Sequence, residues 1–243
     1  MKYCWGLFLS WLLAIPMSFA ATLTAAQDPW PPFITGDPNM PGISVEVVTA
    51  AMKTQGYDVQ FKVMPWARAL DEVKNGRVDL LPATWYTKER TAFLRYGTPY
   101  IENELSFIKL VGNPFEYDGL ASLQGKNVGI VRGYGYNSDF MTDKNFNRPE
   151  SGDLVTNLKK LMSKRIDLTI EDKVVALSIM KEKGIPASQF AFTNNPLSRS
   201  PVHVTSGIAN PNSQKYIDAY EKGIAAIQQN GTFDAILKKY GIK

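Results

Sequence analysis

The chain has 243 residues and is mildly basic, with 27 lysines and arginines against 23 acidic residues. The basic residues are scattered and form no run of four or more, so the charge pattern does not indicate binding to nucleic acid. One cysteine and one histidine are too few for a disulfide framework or a metal-ligand cluster, and we expect no cofactor.

The first twenty residues have the pattern of a secretory signal. Lys2 precedes an uncharged apolar run over 3–17, and Ser18 and Ala20 are the small residues that a signal peptidase reads. A membrane anchor is the alternative, but the run is shorter than the roughly 18–20 apolar residues of a membrane span. We therefore predict cleavage after Ala20 and a mature protein in the periplasm that has also lost Cys4.

The first half of the mature chain alternates short apolar runs with helical spacing, which is typical of an α/β protein. Glycines at 56 and 76 end the helical patterns, and Thr87 has the character of an N-cap for a short helix that reaches Arg90. The predicted strands are 23–26, 59–63 and 78–82, and the predicted helices are 47–56, 65–76 and 87–90.

The second half repeats this alternation. Leu154, Leu158 and Leu161 share one face of a predicted helix, and Asn230-Gly231 predicts a turn between two helices at the end of the chain. The segment 74–81 is echoed by 163–168, which indicates two lobes built on similar plans rather than a solenoid. The predicted strands are 106–111, 128–131, 166–170 and 207–209, and the other predicted helices are 153–164 and 172–183.

Several short motifs occur in a characteristic order, and together they cover nearly all of the mature chain. They are Trp30-Pro31-Pro32-Phe33, Gly76-Arg77-Val78-Asp79, Thr87-Lys88-Glu89-Arg90, Leu123-Gln124-Gly125-Lys126, Arg165-Ile166-Asp167 and Asn230-Gly231-Thr232-Phe233. In this order and spacing the chain resembles the periplasmic amino-acid-binding proteins of ABC importers, the bacterial extracellular solute-binding proteins of family 3.

The resemblance implies a type II periplasmic-binding-protein fold, in which two α/β lobes are joined by a two-strand hinge. Lobe 1 would comprise 21–100 and 207–243, lobe 2 would comprise 105–202, and the hinge would lie at 101–104 and 203–206. A ligand would bind in the cleft at the carboxyl ends of the strands, and the lobes would close over it. The expected partners of this monomer are a small amino-acid-like ligand and a membrane permease of an ABC importer.

The family's Thr-x-x-Arg motif implies that Arg90 holds the ligand's α-carboxylate, for which the forked guanidinium has matching geometry. Asp172 occupies the place where the family sets an acid against the α-ammonium. A second interpretation of Asp172 is an N-cap for the helix that follows. Glu171 is the alternative acid.

Aromatic residues and a glycine-containing loop complete the expected site. Trp30 and Trp66 match positions where the family places aromatic rings beside the ligand, although core packing is the other common role of such rings. The remaining expected contacts are Thr84 and the loop Gly133-Tyr134-Gly135-Tyr136, whose N–H groups could cradle a carboxylate. The chain departs from the family here, since Tyr134, Tyr136, Trp85 and Tyr86 stand where small hydroxyl residues are usual.

Two other functions remain open. The same fold serves as the ligand-binding part of signalling systems, so a periplasmic sensory receptor is one alternative. The chain is also similar to periplasmic cyclohexadienyl dehydratases, in which case Glu171 or Asp172 would act as a general acid. The scarcity of catalytic groups favours a binding protein over an enzyme.

Overall fold

The computed structural model describes residues 21–242, so the predicted signal segment 1–20 lies outside the described residues. The strands are β1 Ala21–Gln27, β2 Tyr57–Val63, β3 Leu81–Trp85, β4 Leu94–Tyr96, β5 Ile101–Leu110, β6 Val128–Val131, β7 Glu150–Ser151, β8 Leu168–Asp172, β9 Phe190–Phe192 and β10 Ser198–Gly207. The α-helices are α1 Ile43–Thr54, α2 Trp66–Lys74, α3 Ser138–Thr142, α4 Leu154–Met162, α5 Lys173–Glu182, α6 Ser213–Gln229 and α7 Thr232–Lys239.

The strands form two sheets. β1 and β2 pair in parallel, and Ala25 bridges to Leu80 just ahead of β3. The larger sheet has the order β3-β10-β5-β8-β6-β7, with β4 against β10 and β9 against β5. Helices pack against both sheets, which confirms the predicted α/β class and the arrangement in two lobes.

The long strands β5 and β10 connect the lobes. They pair antiparallel from Val202–Ile101 to Ser198–Leu105. Beyond this pairing β10 continues along β3 and β4, whereas β5 continues along β8 and β9. Each strand therefore belongs to both lobes, and the segments 101–104 and 203–206 lie within β5 and β10.

The predicted apolar faces of the helices are buried. In α1 the side chains at Val47, Val48, Ala51 and Met52 are fully buried, and α1 packs closely on α6. The close approach depends on Gly223, because a Cβ at that position would lie 2.2 Å from the Ala51 carbonyl oxygen. In the other lobe, Leu154, Leu158 and Leu161 of α4 are buried as predicted.

Two predicted strands begin later in the structure than the sequence indicated. The strand predicted at 78–82 begins at Leu81, because the Asp79 carboxylate accepts hydrogen bonds from Thr24 N and Thr24 Oγ1 and holds the preceding residues in a turn. The strand predicted at 166–170 spans Leu168–Asp172, since Asp167 instead accepts a bond from Asn127 N.

The prediction of a strand at 207–209 was wrong. β10 ends at Gly207, and the Asn210 side chain accepts a hydrogen bond from Asn212 N in a local turn that leads into α6. The short helix predicted at 87–90 is a 3₁₀ turn over Glu89–Ala92, in which Thr87 Oγ1 accepts a bond from Arg90 N at 3.3 Å.

Candidate functional site

Polar and aromatic residues converge where several strands end. Gln27 ends β1, Trp85 ends β3, the 133–136 loop follows β6, and Glu171 lies at the end of β8. In open α/β sheets the carboxyl ends of strands form the ligand-binding crevice. A cavity of ≈ 20 Å³, about the space of one water molecule, lies there and is lined by Gln27, Trp30, Trp66, Ala83, Trp85, Arg90, Tyr134 and Gly135.

Four aromatic rings form the walls of this cavity and meet nearly at right angles. The Trp30 and Trp85 ring centroids are 5.5 Å apart at 76°, those of Trp85 and Tyr134 are 5.3 Å apart at 87°, and those of Trp66 and Tyr134 are 6.1 Å apart at 88°. Edge-to-face pairs of this kind are favoured by the ring quadrupoles. The predicted wall residues Trp30 and Trp66 are therefore brought together, along with Trp85, whose role the sequence left open.

Each indole N–H in the wall has a specific acceptor. Trp30 Nε1 donates to Glu171 Oε1 at 3.3 Å, and Trp66 Nε1 donates to the Gly133 carbonyl at 2.7 Å. Trp85 Nε1 donates to Asn103 Oδ1 at 3.1 Å. These bonds fix the orientation of the three tryptophan rings.

Arg90 is 5% exposed and enters the cavity from the 3₁₀ turn. Its Nη1 donates to the Trp85 carbonyl and its Nη2 to the Gly133 carbonyl, both at 2.7 Å, while its Cζ lies 5.2 Å from the Trp66 ring centroid. Burial lowers the pKa of the guanidinium, yet the group stays charged at neutral pH. No described carboxylate forms an ion pair with it.

Asp172 is the N-cap of α5. Its Oδ1 accepts from Val174 N at 2.8 Å and Val175 N at 3.1 Å, and its Oδ2 accepts from Asn103 Nδ2 at 3.1 Å and Glu104 N at 3.2 Å. A carboxylate has about four lone-pair sites. Groups of the protein occupy all four sites, so Asp172 has the N-cap role that was the second interpretation of the sequence. Its side chain does not line the cavity.

Glu171 is 1% exposed and lies behind Trp30. Its Oε1 accepts from Trp30 Nε1 and from Asp172 N at 2.9 Å, whereas its Oε2 is buried without a partner among the described residues. Burial raises the pKa of this carboxyl to about 8. Glu171 is therefore a buried acid with a free oxygen.

Gln27 and Asp28 belong to the site, but sequence reasoning did not identify them. Gln27 Oε1 is buried without a described partner, and Gln27 Nε2 donates to Asp28 Oδ1 at 3.2 Å. Asp28 Oδ2 accepts from the Tyr134 hydroxyl at 2.9 Å, and burial raises the pKa of Asp28 to about 6. Their position at the end of β1 and directly after it was the available signal.

The remaining predicted residues have structural partners of their own. The Thr84 hydroxyl pairs with Thr205 at 3.0 Å between β3 and β10, and the Tyr136 hydroxyl accepts from Val131 N at 3.1 Å. Tyr134 N donates to the Val131 carbonyl at 3.2 Å, so this N–H is not free to cradle a carboxylate. Gly135 does line the cavity, and a Cβ there would lie 2.8 Å from Arg90 Nη1.

A larger groove of ≈ 510 Å³ lies next to the cavity and also runs between the two lobes. One wall comes from 28–31 and 63–65, and the other comes from 152–155 and 179–183. Tyr134 lines both the groove and the inner cavity. Over residues 21–242, no helix has the length and apolar character needed to cross a membrane.

The sequence matches a known family over almost its whole length. The model of the bacterial extracellular solute-binding proteins, family 3, covers residues 23–243. A "Probable histidine-binding protein" of Campylobacter jejuni is 22% identical over 85% of this chain and 79% of its own length. The L-cystine-binding protein TcyA of Bacillus subtilis is 22% identical over 82% of this chain and 72% of its own length.

Solved structures share the fold. An ancestral arginine-binding protein bound to arginine superposes with a TM-score of 0.77 at 23% identity, over 92% of this chain and 99% of that one. A histidine kinase sensor domain with similarity to periplasmic binding proteins superposes with a TM-score of 0.79 at 18% identity, over 92% of this chain and 97% of that one. The two-lobed fold expected from the sequence is thereby confirmed.

Proposed function

Because the chain belongs to family 3 of the bacterial extracellular solute-binding proteins, we propose that it captures an amino acid or a similar small zwitterion between its lobes and delivers it to the permease of an ABC importer. One observation carries this proposal. Arg90 lines an aromatic-walled cavity, the buried acid Glu171 lies directly behind the Trp30 wall of that cavity, and neither is paired with an opposite charge among the described residues.

These two groups are the complement of a zwitterion. The ligand carboxylate would accept hydrogen bonds from the Arg90 guanidinium, and the ligand ammonium would donate to Glu171 Oε2, the unpartnered oxygen behind the Trp30 ring of the cavity wall. A buried charge is costly unless it is paired and hydrogen-bonded. The ligand ammonium would favour the ionised form of Glu171, which is otherwise protonated at neutral pH, so a ligand with both charges would pair both groups. Trp30 and Trp66 would then exclude water from the pair.

The proposed lobes are 21–100 with 207–243, and 105–202, and the proposed hinge segments are 101–104 and 203–206. The hinge proposal is supported by the exchange of pairing partners along β5 and β10. It is also supported by the contacts of Gly133, which bring Trp66 and Arg90 of one lobe against the other. Ligand binding would shift the balance between open and closed forms.

We also propose that the first 20 residues are removed after Ala20 and that the mature chain works as a monomer in the periplasm. The uncharged run over 3–17 and the small residues before Ala21 support this step. The match to a family of extracellular solute-binding proteins supports the compartment.

The test of the clamp is Arg90→Ala, measured by calorimetric titration with whichever amino acid gives the largest thermal shift of the mature protein. We expect an affinity loss of about 10²–10³-fold, because the variant leaves a carboxylate unpaired in a buried site. Arg90→Lys keeps the charge without the fork and should lose part of the affinity. Arg95→Ala, at an exposed position in β4, is the matched control. Undiminished binding by Arg90→Ala with native circular dichroism would contradict the clamp.

A second function is favoured by one observation, the buried acid Glu171 with a pKa raised to about 8. A carboxyl that stays protonated at neutral pH is suited to general acid catalysis, as in a cyclohexadienyl dehydratase. Incubating the mature protein with prephenate or arogenate distinguishes the two functions. Turnover by wild type that disappears in Glu171→Gln would establish the enzymatic function. If wild type shows no turnover, the binding function is the one supported.

A further inference from the structure

The ring of Tyr134 separates the two spaces between the lobes. Tyr134 lines the inner cavity of ≈ 20 Å³ and also the groove of ≈ 510 Å³. The inner cavity has room for about one water molecule. An amino acid can therefore reach Arg90 only if one wall of the cavity moves.

Among the four wall rings, Tyr134 is the one that can move, because it also lines the larger groove. Trp30, Trp66 and Trp85 are each at most 6% exposed and each is held by an indole hydrogen bond. Tyr134 is only half-buried, and its side chain has one hydrogen bond, to Asp28. The groove behind it can take the displaced ring.

The space that the Tyr134 ring fills has a defined chemistry. Its sides are the rings of Trp66 and Trp85, which meet it edge to face, and its far end is the Asp28 carboxyl, which accepts the phenol hydroxyl. A planar group with an N–H or O–H at its tip reproduces all three contacts. We propose that the ligand has an aromatic side chain and that this side chain displaces the Tyr134 ring and takes over its contacts.

Other side chains fit this space less well. An aliphatic chain cannot make edge-to-face contacts with Trp66 and Trp85 and leaves Asp28 without a donor. A lysine ammonium would pair with the Asp28 carboxyl, but a lysine side chain has no ring to make the edge-to-face contacts with Trp66 and Trp85. The inference rests on the proposed function, since Arg90 and Glu171 are taken to hold the charged head of the same ligand.

The experiment compares wild type, Tyr134→Ala and Tyr86→Ala by calorimetric titration with L-tyrosine, L-phenylalanine, L-leucine and L-lysine. Tyr86 is the matched control, because it is an exposed tyrosine at 53% that lines neither space. We expect wild type to bind L-tyrosine about tenfold or more tightly than leucine and lysine, and to bind L-phenylalanine less tightly than tyrosine, because phenylalanine leaves Asp28 without a donor. We expect Tyr134→Ala to bind the aromatic pair about tenfold more tightly still, since no ring has to leave. Thermal melting of each protein confirms that it is folded.

The outcomes separate this inference from the proposed function. If leucine or lysine binds tightest and Arg90→Ala abolishes that binding, the clamp stands and the aromatic side chain is refuted. If Tyr134→Ala weakens binding of the aromatic pair, the Tyr134 ring contacts the bound ligand instead of filling the ligand's place. That result would refute the displacement. If neither these four probes nor any other standard amino acid binds to wild type or to Tyr134→Ala, both the inference and the proposed function fail.

Discussion

Replacing Glu171 by glutamine removes the described group with the largest expected effect on stability near neutral pH. Burial is the main cause that raises its pKa from 4.5 to about 8, and the charges of Asp172 and Asp28 raise it further. The hydrogen bonds from Asp172 N and Trp30 Nε1 oppose the shift. The folded protein therefore holds a proton on this carboxyl at pH values where the unfolded chain has released it.

The sign of the effect follows from proton linkage. Between pH 4.5 and about 8 the folded state binds more protons at Glu171 than the unfolded state, so the free energy of unfolding falls as the pH rises. Each pH unit in this window changes it by about 1.4 kcal/mol, which gives about 5 kcal/mol over the whole window. Above pH 8 the loss is complete and the curve is flat.

Other groups titrate mostly below the upper part of this window. Burial raises the pKa of Asp28 from 3.8 to about 6, so its effect is confined to the range between those values. Burial lowers the pKa of His203 below 6.5, and its contribution is constant above that pH. Between pH 6.5 and 8, Glu171 alone should lower the free energy of unfolding by about 2 kcal/mol.

The assay is urea denaturation followed by tryptophan fluorescence at pH 6.5, 7.25 and 8, for wild type, Glu171→Gln and the exposed control Glu102→Gln. Wild type and Glu102→Gln should both lose about 2 kcal/mol across the series, and Glu171→Gln should lose almost nothing. The reasoning is refuted if wild type and Glu171→Gln have parallel slopes, or if the free energy of unfolding of wild type rises with pH.

The other two predictions concern the cap and the hinge. Asp172→Ala should lower the free energy of unfolding by about 3 kcal/mol, because it removes a cap and leaves the buried Asn103 amide without its acceptor. Asp153→Ala is the comparison, because Asp153 caps α4 through a single hydrogen bond and its loss should cost about 1 kcal/mol. If urea titration gives equal losses for the two variants, Asp172 does not both cap α5 and hold Asn103. Saturation with a tight ligand should reduce the radius of gyration in X-ray scattering, and identical scattering curves with and without ligand would argue against hinge closure.

Much of the fold could be predicted because its signals are local. The helical stripes of α1 and α4 need only a period of 3.6 residues, and the turn at Asn230-Gly231 needs only its own two residues. Trp30 and Arg90 came from short motifs and Trp66 from its match to a family position, and all three line the cavity. Their roles toward a ligand stay predictions.

The choice between Glu171 and Asp172 could not be made from the sequence. Neighbouring residues of a strand point to opposite faces, so only one of the two can face a given side of β8. Which one does so depends on the register with β5, where Asp172 pairs with Leu105 and Glu171 with Ser106. That register joins residues more than 60 positions apart, and no local pattern contains it. The contribution of Gln27 to the cavity depends on long-range packing in the same way.

Glu171 and Asp172 nevertheless belong to one hydrogen-bond network, because Asp172 N donates to Glu171 Oε1. Asp172 Oδ2 accepts from Asn103 Nδ2, Asn103 Oδ1 accepts from Trp85 Nε1, and the Trp85 carbonyl accepts from Arg90 Nη1. Asn103 is buried and lies in the proposed hinge segment 101–104. Because buried hydrogen bonds are costly to break, we expect a rotation at this segment to carry Trp85 and the Arg90 guanidinium with it. The cap of a helix in one lobe thus helps to set the position of the proposed clamp in the other.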